Sequence, residues 1–428
     1  MPPLPLMNRP GAVANPEADP DAAVPAHFGD PLREQAALGE GLALSPLARD
    51  VVAVSGPDRL SWLTTLSSQV LTGLEPGDGG TETLLLDANG RISHALAAID
   101  DGERLFLVTQ AGRGAALVEF LERMRFMLRV EVGERPDLVA LGAMGQGLAA
   151  LEEACGLAGP ADAAGPANPE GVAAEAGAEK AAADGPAAGG PAAEGGGLWR
   201  DPWPGVVEGG TSYDVGLEDW THPGRDYRAG LVLVGSAQAG RVIEAFERIV
   251  GPTPVGPLAG SLAWEALRVE AGRPRWAREA DARAIPHELD WLRTAVQLDK
   301  GCYPGQETVA RTLNLGRPPR RLTILQLDGL GGDLPAPGAV VRLGERAVGA
   351  VTSVVRHHEL GPMALALLRR AVPVGEQLTV ALTEEEDGRL VEVGRVDAAQ
   401  ELLVSPEGRA QASPAQRPGE GLRKGLLR

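Results

Sequence analysis

The feature that most constrains this chain is the eight-residue sequence KGCYPGQE at residues 300–307. Gly301 and Gly305 permit backbone conformations that a side chain would forbid. Pro304 fixes its own φ angle and biases Tyr303 towards an extended conformation. The pattern therefore predicts a loop of defined shape that is followed by a short helix or turn.

Cys302 lies in this loop, two residues after Lys300. A nearby ammonium group lowers the pKa of a thiol, and the thiolate is the reactive form. Lys300 and Cys302 are therefore the candidate catalytic residues. Many intracellular cysteines are instead small buried hydrophobic residues, and that alternative stays open for Cys302.

The loop and the residues that follow it carry a family resemblance. Residues 300–307 and 309–311 (VAR) resemble the signature of the YgfZ family of folate-binding proteins. That family is related to the T-protein (aminomethyltransferase) of the glycine cleavage system and so to the GcvT-like superfamily. The sequences EAG at 270–272 and IPHE at 285–288 fit the same family. The resemblance extends over residues 41–405, apart from one insert.

The order of hydrophobic runs predicts an α+β fold. Residues 81–86 and 91–99 are apolar runs that flank Asn89 and Gly90, which is a strong hairpin signal. A third run at 104–109 completes an antiparallel meander, with helical patterns before and after it. Together with the resemblance, this implies a GcvT-like folate-binding domain of antiparallel sheets with packed helices, plus a small C-terminal β-barrel.

Composition divides the chain into segments. Residues 1–40 and 406–428 lack sustained periodicity and are predicted to be disordered tails. Residues 157–197 are rich in Ala, Gly and Pro, and we expect a disordered insert within a GcvT/YgfZ-like folate-binding region at 41–316. Short apolar runs at regular spacing over 317–405 predict the β-barrel domain.

Charge and cysteine content exclude several classes of protein. The chain of 428 residues has a formal net charge of −18, which argues against direct, phosphate-driven binding of nucleic acid. Two cysteines, Cys155 and Cys302, provide neither a disulfide framework nor the ligands of an iron–sulfur cluster. No apolar run approaches the ~18 residues of a membrane span, and no signal pattern begins the chain. We therefore expect a cytoplasmic protein without nucleic-acid or membrane partners.

A pteridine ligand needs a flat apolar platform, a polar partner for its edge and a cation for its glutamate tail. Trp264 can supply the platform, and it occupies the position of a folate-pocket tryptophan in YgfZ relatives. Glu270 and Arg273 follow closely, and Tyr303 and Gln306 of the loop complete the predicted cofactor-binding set. The alternative is that Trp264 belongs to an inward-facing helical stripe.

The family's catalytic carboxylates are missing. In T-proteins an aspartate pair follows the hairpin, and one of these carboxylates is needed for methylene transfer. Here His94 and Ala95 fall at those positions. His94 stays a candidate general base, although a lone histidine on a strand is more often structural. Cys302 and His287 could ligate a metal only if the fold brought them together, so we predict no metal.

The resemblance implies a tetrahydrofolate-binding accessory protein that supports assembly or repair of iron–sulfur clusters in client enzymes, including enzymes that modify tRNA. Its cofactor would be tetrahydrofolate or a derivative, and its partners iron–sulfur client or assembly proteins. One alternative is a folate-dependent one-carbon transferase with a different acceptor, which the missing aspartates disfavour. Another is a non-catalytic interaction module that binds no folate.

Overall fold

The computed structural model describes residues 5–157, 197–213, 215–217, 220–386 and 389–414. The strands in chain order are β1 (Val13–Ala14), β2 (Pro25–His27), β3 (Ser45–Leu47), β4 (Arg49–Ser55), β5 (Thr81–Leu86), β6 (Ile92–Asp100), β7 (Arg104–Gln110), β8 (Glu131–Glu134), β9 (Leu138–Met144), β10 (Leu198–Arg200), β11 (Ala229–Gly235), β12 (Arg320–Leu327), β13 (Val340–Leu343), β14 (Arg346–His357), β15 (Gly361–Arg369), β16 (Leu378–Glu386) and β17 (Arg389–Leu402). The α-helices are α1 (Pro31–Gly39), α2 (Arg59–Leu66), α3 (Gly114–Met124), α4 (Gln146–Ala154), α5 (Ala239–Val250), α6 (Ser261–Glu270), α7 (Trp276–Glu279) and α8 (Gln306–Leu315). Short 3-10 helices span Pro5–Asn8, Pro223–Asp226 and Pro286–Leu289.

A five-stranded antiparallel sheet has the order β5-β6-β7-β4-β8. The predicted hairpin is confirmed, because β5 pairs with β6 across a turn in which Asp87 Oδ1 accepts from the backbone N–H groups of Asn89 and Arg91. A register shift near the start of β6 leaves Ser93 as a bulge. Helices α2 and α3 pack on one face of the sheet, and the other face looks towards the second sheet.

The second sheet has the order β10-β11-β9-β3 and is also antiparallel. Helices α4 and α5 cover its outer face through residues such as Leu151, Ile243 and Phe246. Its inner face, the facing side of the five-stranded sheet and α6 share the largest hydrophobic core. The predicted insert at 157–197 lies almost wholly outside the described residues, between β9 and β10 of this sheet.

The C-terminal strands form the closed barrel β12-β15-β14-β13-β16-β17, which β12 completes by pairing with β17. The interior is filled by small and branched side chains such as Val341, Val380 and Ala366. The predicted β-barrel is therefore confirmed. Helix α6 contacts β14, so the barrel is packed against the helix that also lines the space between the two sheets.

The prediction of a disordered tail at residues 1–40 is wrong for residues 5–40. Val24 and Leu38 are fully buried, and Asp21 pairs with Arg275. Helix α1 contacts α6. The local sequence pattern did not predict this packing, because the polar side chains of the segment pair with residues that are distant in sequence.

The second predicted tail, at 406–428, is wrong for residues 406–414. Ala410 is buried and forms a bridge with Tyr213, and the backbone N–H of Gln411 donates to the carbonyl of Ser212 at 2.8 Å. Residues 415–428 lie outside the described residues.

Candidate functional site

A cavity lies between the inner faces of the two sheets and is closed on one side by α6 and the loop at 273–276. The cavity has a volume of about 100 Å³ and is partly open to solvent. Small-molecule sites typically occupy roughly 300–1,000 Å³, so a larger ligand would extend through the open side of the cavity.

Four tryptophans line this cavity: Trp199, Trp264, Trp276 and Trp291. The Trp264 ring packs so closely on β9 that a Cβ atom at Gly142 would lie 2.6 Å from it. The Nε1 atoms of Trp199 and Trp291 donate to Thr81 and Glu82, so their ring faces are fixed. The cavity therefore offers rigid aromatic walls.

Arg273 holds the two carboxylates of the cavity. Its Nη2 donates to Glu82 Oε1 at 2.6 Å and its Nε donates to Asp201 Oδ2 at 2.9 Å. Glu82 also accepts from Trp291 Nε1 and from Thr294 Oγ1. Burial raises the pKa of the Asp201 carboxyl, an effect that Arg273 opposes and Glu82 strengthens. Both acceptors are thus occupied, whereas Arg273 Nη1 is buried without a partner among the described residues.

Two further arginines lie where the N-terminal segment and α6 meet beside the cavity. Arg275 pairs with Asp21 and Glu265 and donates from Nε to Gln110 Oε1 at 2.9 Å. Arg268 pairs bidentately with Glu265, with distances of 2.8 and 2.6 Å. Because these groups are buried, each depends on its partner to offset the cost of desolvation.

Strand β6 turns alanines towards the cavity. Ala95 and Ala97 line it, whereas His94 shares the opposite face of the sheet with Leu96 and Ala98 of the helix-covered core. The position expected to carry a T-protein carboxylate therefore presents a methyl group to the cavity. His94, the candidate base, does not line it.

Burial lowers the pKa of His94 to about 4, and the charge of Arg113 adds to the shift. As the pH falls from 6.5 to 4, the unfolded chain binds this proton first, so stability is lost across that window. Between pH 7.5 and pH 5, we expect the free energy of unfolding to fall by about 2 kcal/mol less in His94→Leu than in the wild type. Urea unfolding at both pH values measures this, and equal losses in the two proteins would contradict it.

The KGCYPGQE loop lies against the turn of the β5–β6 hairpin. Gly305 has a φ of +81°, and a Cβ atom there would lie 2.6 Å from the carbonyl oxygen of Asp87 and 2.8 Å from Gly90 Cα. Only glycine satisfies both the conformation and the close approach. The predicted shaped loop and the helix after it, α8, are therefore confirmed.

Within this loop, Cys302 is exposed and Lys300 is buried. Lys300 Nζ donates to the carbonyl oxygens of Thr64 and Ser67, 2.5 and 2.6 Å away, at the end of α2, and lies 4.7 Å above the Tyr303 ring. Burial lowers the pKa of Lys300 to about 8. No hydrogen bond among the described residues joins the Lys300 and Cys302 side chains, so the lysine anchors the loop to α2.

The predicted site residues fall into separate places. Trp264 and Arg273 line the cavity, whereas Cys302, Tyr303 and Gln306 do not. Gln306 donates to the carbonyl of Lys300 at 3.2 Å and so supports the loop.

Glu270 also lies outside the cavity lining. It ends α6 on the barrel side, 3.2 Å from His357 Nε2. Sequence reasoning missed Arg49, Gln110 and Tyr227 of the cavity. The signal available for Arg49 was a cation at the very start of a buried strand.

Two further expectations concern metals and membranes. His287 is buried and its Nε2 lies 3.1 Å from the carbonyl of Val309, while Cys302 is exposed. Among the described residues no group of three or more His, Cys, Asp or Glu side chains could hold a metal ion. No helix in the described ranges is long and apolar enough to cross a membrane. The cytoplasmic location stays a prediction.

Comparison with solved structures decides the fold. The aminomethyltransferase T of the glycine cleavage system from Bartonella henselae superposes with a TM-score of 0.64 over 94% of this chain and 97% of that one, at 18% sequence identity. The chain has the aminomethyltransferase fold. At this identity the similarity establishes architecture alone.

Two sequence comparisons found further similarities. Residues 320–400 match the family described as the CAF17 C-terminal β-barrel domain. A region of 134 residues is 34% identical to a chloroplastic protein of Arabidopsis thaliana that carries the name of a transferase. That match covers 29% of this chain and 30% of the relative, so the chain aligns with about a third of the relative's length. The barrel match and the superposition therefore agree on the architecture of this chain.

Proposed function

We propose that this protein binds tetrahydrofolate or a derivative in the central cavity and acts as an accessory protein rather than as a one-carbon transferase. The observation that carries the proposal is the tryptophan-walled cavity between the two sheets of an aminomethyltransferase fold. Flat, fixed aromatic walls suit a planar heterocycle. A bound tetrahydrofolate would supply a carrier for a one-carbon unit.

The residues of the cavity fit such a ligand in part. Trp264 would stack against the ring, and Arg273 holds Glu82 and Asp201 in place beside it. Burial raises the pKa of Asp201, and the charge of Glu82 adds to this shift whereas Arg273 opposes it, which favours a carboxyl group able to share a proton with the edge of a heterocycle.

The alanines of β6 support an accessory role. A one-carbon transferase needs a group that accepts or donates a proton at the reacting nitrogen, and Ala95 and Ala97 have none. The cavity carboxylates Glu82 and Asp201 are bound to Arg273, which reduces their availability as bases.

The proposed client chemistry concerns iron–sulfur enzymes. Its support is the resemblance of the KGCYPGQE loop to the YgfZ signature, together with the exposure of Cys302. The loop is held rigidly by Lys300 and Gly305, so an exposed thiol is presented at a fixed position for a partner protein. We propose Cys302 as the reactive group and Lys300 as the residue that positions its loop.

An anaerobic calorimetric titration with tetrahydrofolate tests the proposal. Trp264→Ala would leave a large void of its own, costing about 3–5 kcal/mol, so Ala97→Leu is the sharper variant because it fills the cavity. We expect saturable binding by the wild type, loss of binding in Ala97→Leu, and wild-type binding in Ala347→Leu. Ala347 lies on β14, is exposed and does not line the cavity, so it makes the same chemical change elsewhere.

The same variants test the client role in cells that lack the protein. Wild type and Ala347→Leu should restore the activity of iron–sulfur enzymes, and Ala97→Leu should not. A wild-type protein that binds no tetrahydrofolate would leave the interaction module as the better description. A product formed from labelled 5,10-methylenetetrahydrofolate would favour the transferase.

A further inference from the structure

The hydrogen-bonding groups left over in the central cavity are donors. Gln110 Nε2 and Arg273 Nη1 are buried without a partner among the described residues, and both side chains line the cavity. The two residues are each 7% exposed. A buried donor without an acceptor costs about 1–3 kcal/mol, so an acceptor in the cavity would remove this cost.

Arg49 adds a positive charge at the same place. Its Nη1 donates to the carbonyl of Ala48 at 2.9 Å, and it forms no ion pair within the described part of the chain. Burial lowers the pKa of Arg49 to about 9, and the charge of Arg275 adds to the shift. The guanidinium is nevertheless still charged at neutral pH. The nearby carboxylates Asp21 and Glu265 are both held by Arg275.

Arg49 and Gln110 are directly opposite each other on neighbouring strands. They are paired residues of β4 and β7, so their side chains leave the sheet on the same face. Arg275 Nε donates to Gln110 Oε1, which fixes the amide so that its NH₂ end is the free one. A charged and a neutral donor therefore stand side by side.

Tyr227 completes the set from β11's side of the cavity. Its hydroxyl has no hydrogen bond to any described residue, and burial raises its pKa well above the ordinary range, with Asp201 adding to the shift. The hydroxyl thus stays protonated and can donate. A cation flanked by neutral donors is the arrangement that binds a carboxylate with charge-assisted hydrogen bonds.

We propose that Arg49, Gln110 and Tyr227 form a subsite for the carboxylate group of a ligand in the central cavity. This subsite depends on the proposed function only in that the carboxylate and tetrahydrofolate are placed in the same cavity. The carboxylate has two possible sources, the glutamate tail of tetrahydrofolate or a separate small carboxylic acid bound beside it.

The test compares the wild type with Arg49→Met, Gln110→Glu and the exposed control Arg129→Met. Three probes are used: tetrahydrofolate, the tail-less 6-methyltetrahydropterin, and acetate against chloride at equal ionic strength. Binding is followed by calorimetry and by the melting temperature. Without ligand, Arg49→Met should melt higher than the wild type, because a half-buried cation without an ion-pair partner among the described residues is removed. Gln110→Glu should also melt higher, because it places an internal carboxylate beside Arg49.

Loss of the subsite should weaken carboxylate binding roughly 10–100-fold. If the glutamate tail is the source, Arg49→Met should bind tetrahydrofolate more weakly than the wild type does. The two proteins should then bind the tail-less pterin equally well. If a separate acid is the source, acetate stabilises the wild type but not Arg49→Met, and tetrahydrofolate binds both equally. An acetate response without tetrahydrofolate binding would remove the proposed function and keep the subsite.

Two results would overturn the subsite. One is a wild type that responds to none of the carboxylate probes. The other is an Arg49→Met protein that binds all three probes like the wild type. Arg129→Met should bind all three probes like the wild type, since its side chain is 74% exposed and outside the cavity.

Discussion

Replacing Arg268 with methionine is expected to lower the free energy of unfolding by about 3–5 kcal/mol. The Arg268 side chain is 2% exposed and pairs with both Glu265 and Glu279. Its Nη2 also donates to Ser353 Oγ on β14 at 2.7 Å, and its Nη1 to the carbonyl of Arg273 at 3.1 Å. Removing it leaves buried carboxylates with fewer partners and breaks a bond between α6 and the barrel.

Arg129→Met is the matched control for this change. Arg129 pairs with Asp58 at 2.7 Å, but its side chain is 74% exposed. An exposed ion pair contributes about 0–1 kcal/mol, so the control should lose no more than that. Urea unfolding of both variants at neutral pH provides the measurement. Similar losses in the two proteins would show that the Arg268 network contributes little to stability.

Replacing Asp21 with asparagine is expected to have an effect of similar size, about 3–5 kcal/mol. The Asp21 carboxylate accepts from Arg275 Nη1 and Nη2 at 2.6 and 2.7 Å, and its side chain is 4% exposed. An amide in its place leaves Arg275 short of negative charge.

Glu17→Gln removes the same charge from an exposed position in the same segment. It should change the unfolding free energy by no more than about 0.5 kcal/mol. The two substitutions therefore distinguish a packed N-terminal segment from a disordered tail. In a disordered tail, both substitutions would change the unfolding free energy by equally small amounts. Urea unfolding curves of the two variants decide between these descriptions.

Local chemistry was enough to predict several elements of this protein. The Asn89-Gly90 turn specifies a tight hairpin whatever surrounds it, because glycine accepts the φ of +75° that the turn needs. The period of apolar residues over 238–250 predicts a helix with Val242, Ala245, Phe246 and Ile249 on one inward face, and α5 buries Val242 and Phe246 but leaves Ile249 exposed. The shape of the loop at Gly305 was predictable in the same way, since glycine and proline determine which φ angles their own residues can adopt.

The cavity could only partly be predicted. Trp264 was identified because the resemblance marked its position, and Arg273 because it lies close by in sequence. Glu270 was assigned to the same site, yet it faces the barrel, since neighbours on a short helix point in different directions.

What the sequence by itself determined is thus a large part of the elements between residues 41 and 405 and, through the resemblance, the fold that joins them. Only the tertiary structure decided which polar side chains meet. Arg49 faces Gln110 because β4 pairs with β7, and Asp21 reaches Arg275 because the N-terminal segment packs on α6. The physical reason is that turns and periodicity depend on contacts a few residues apart, whereas the partner of a buried charge depends on which distant segments become neighbours.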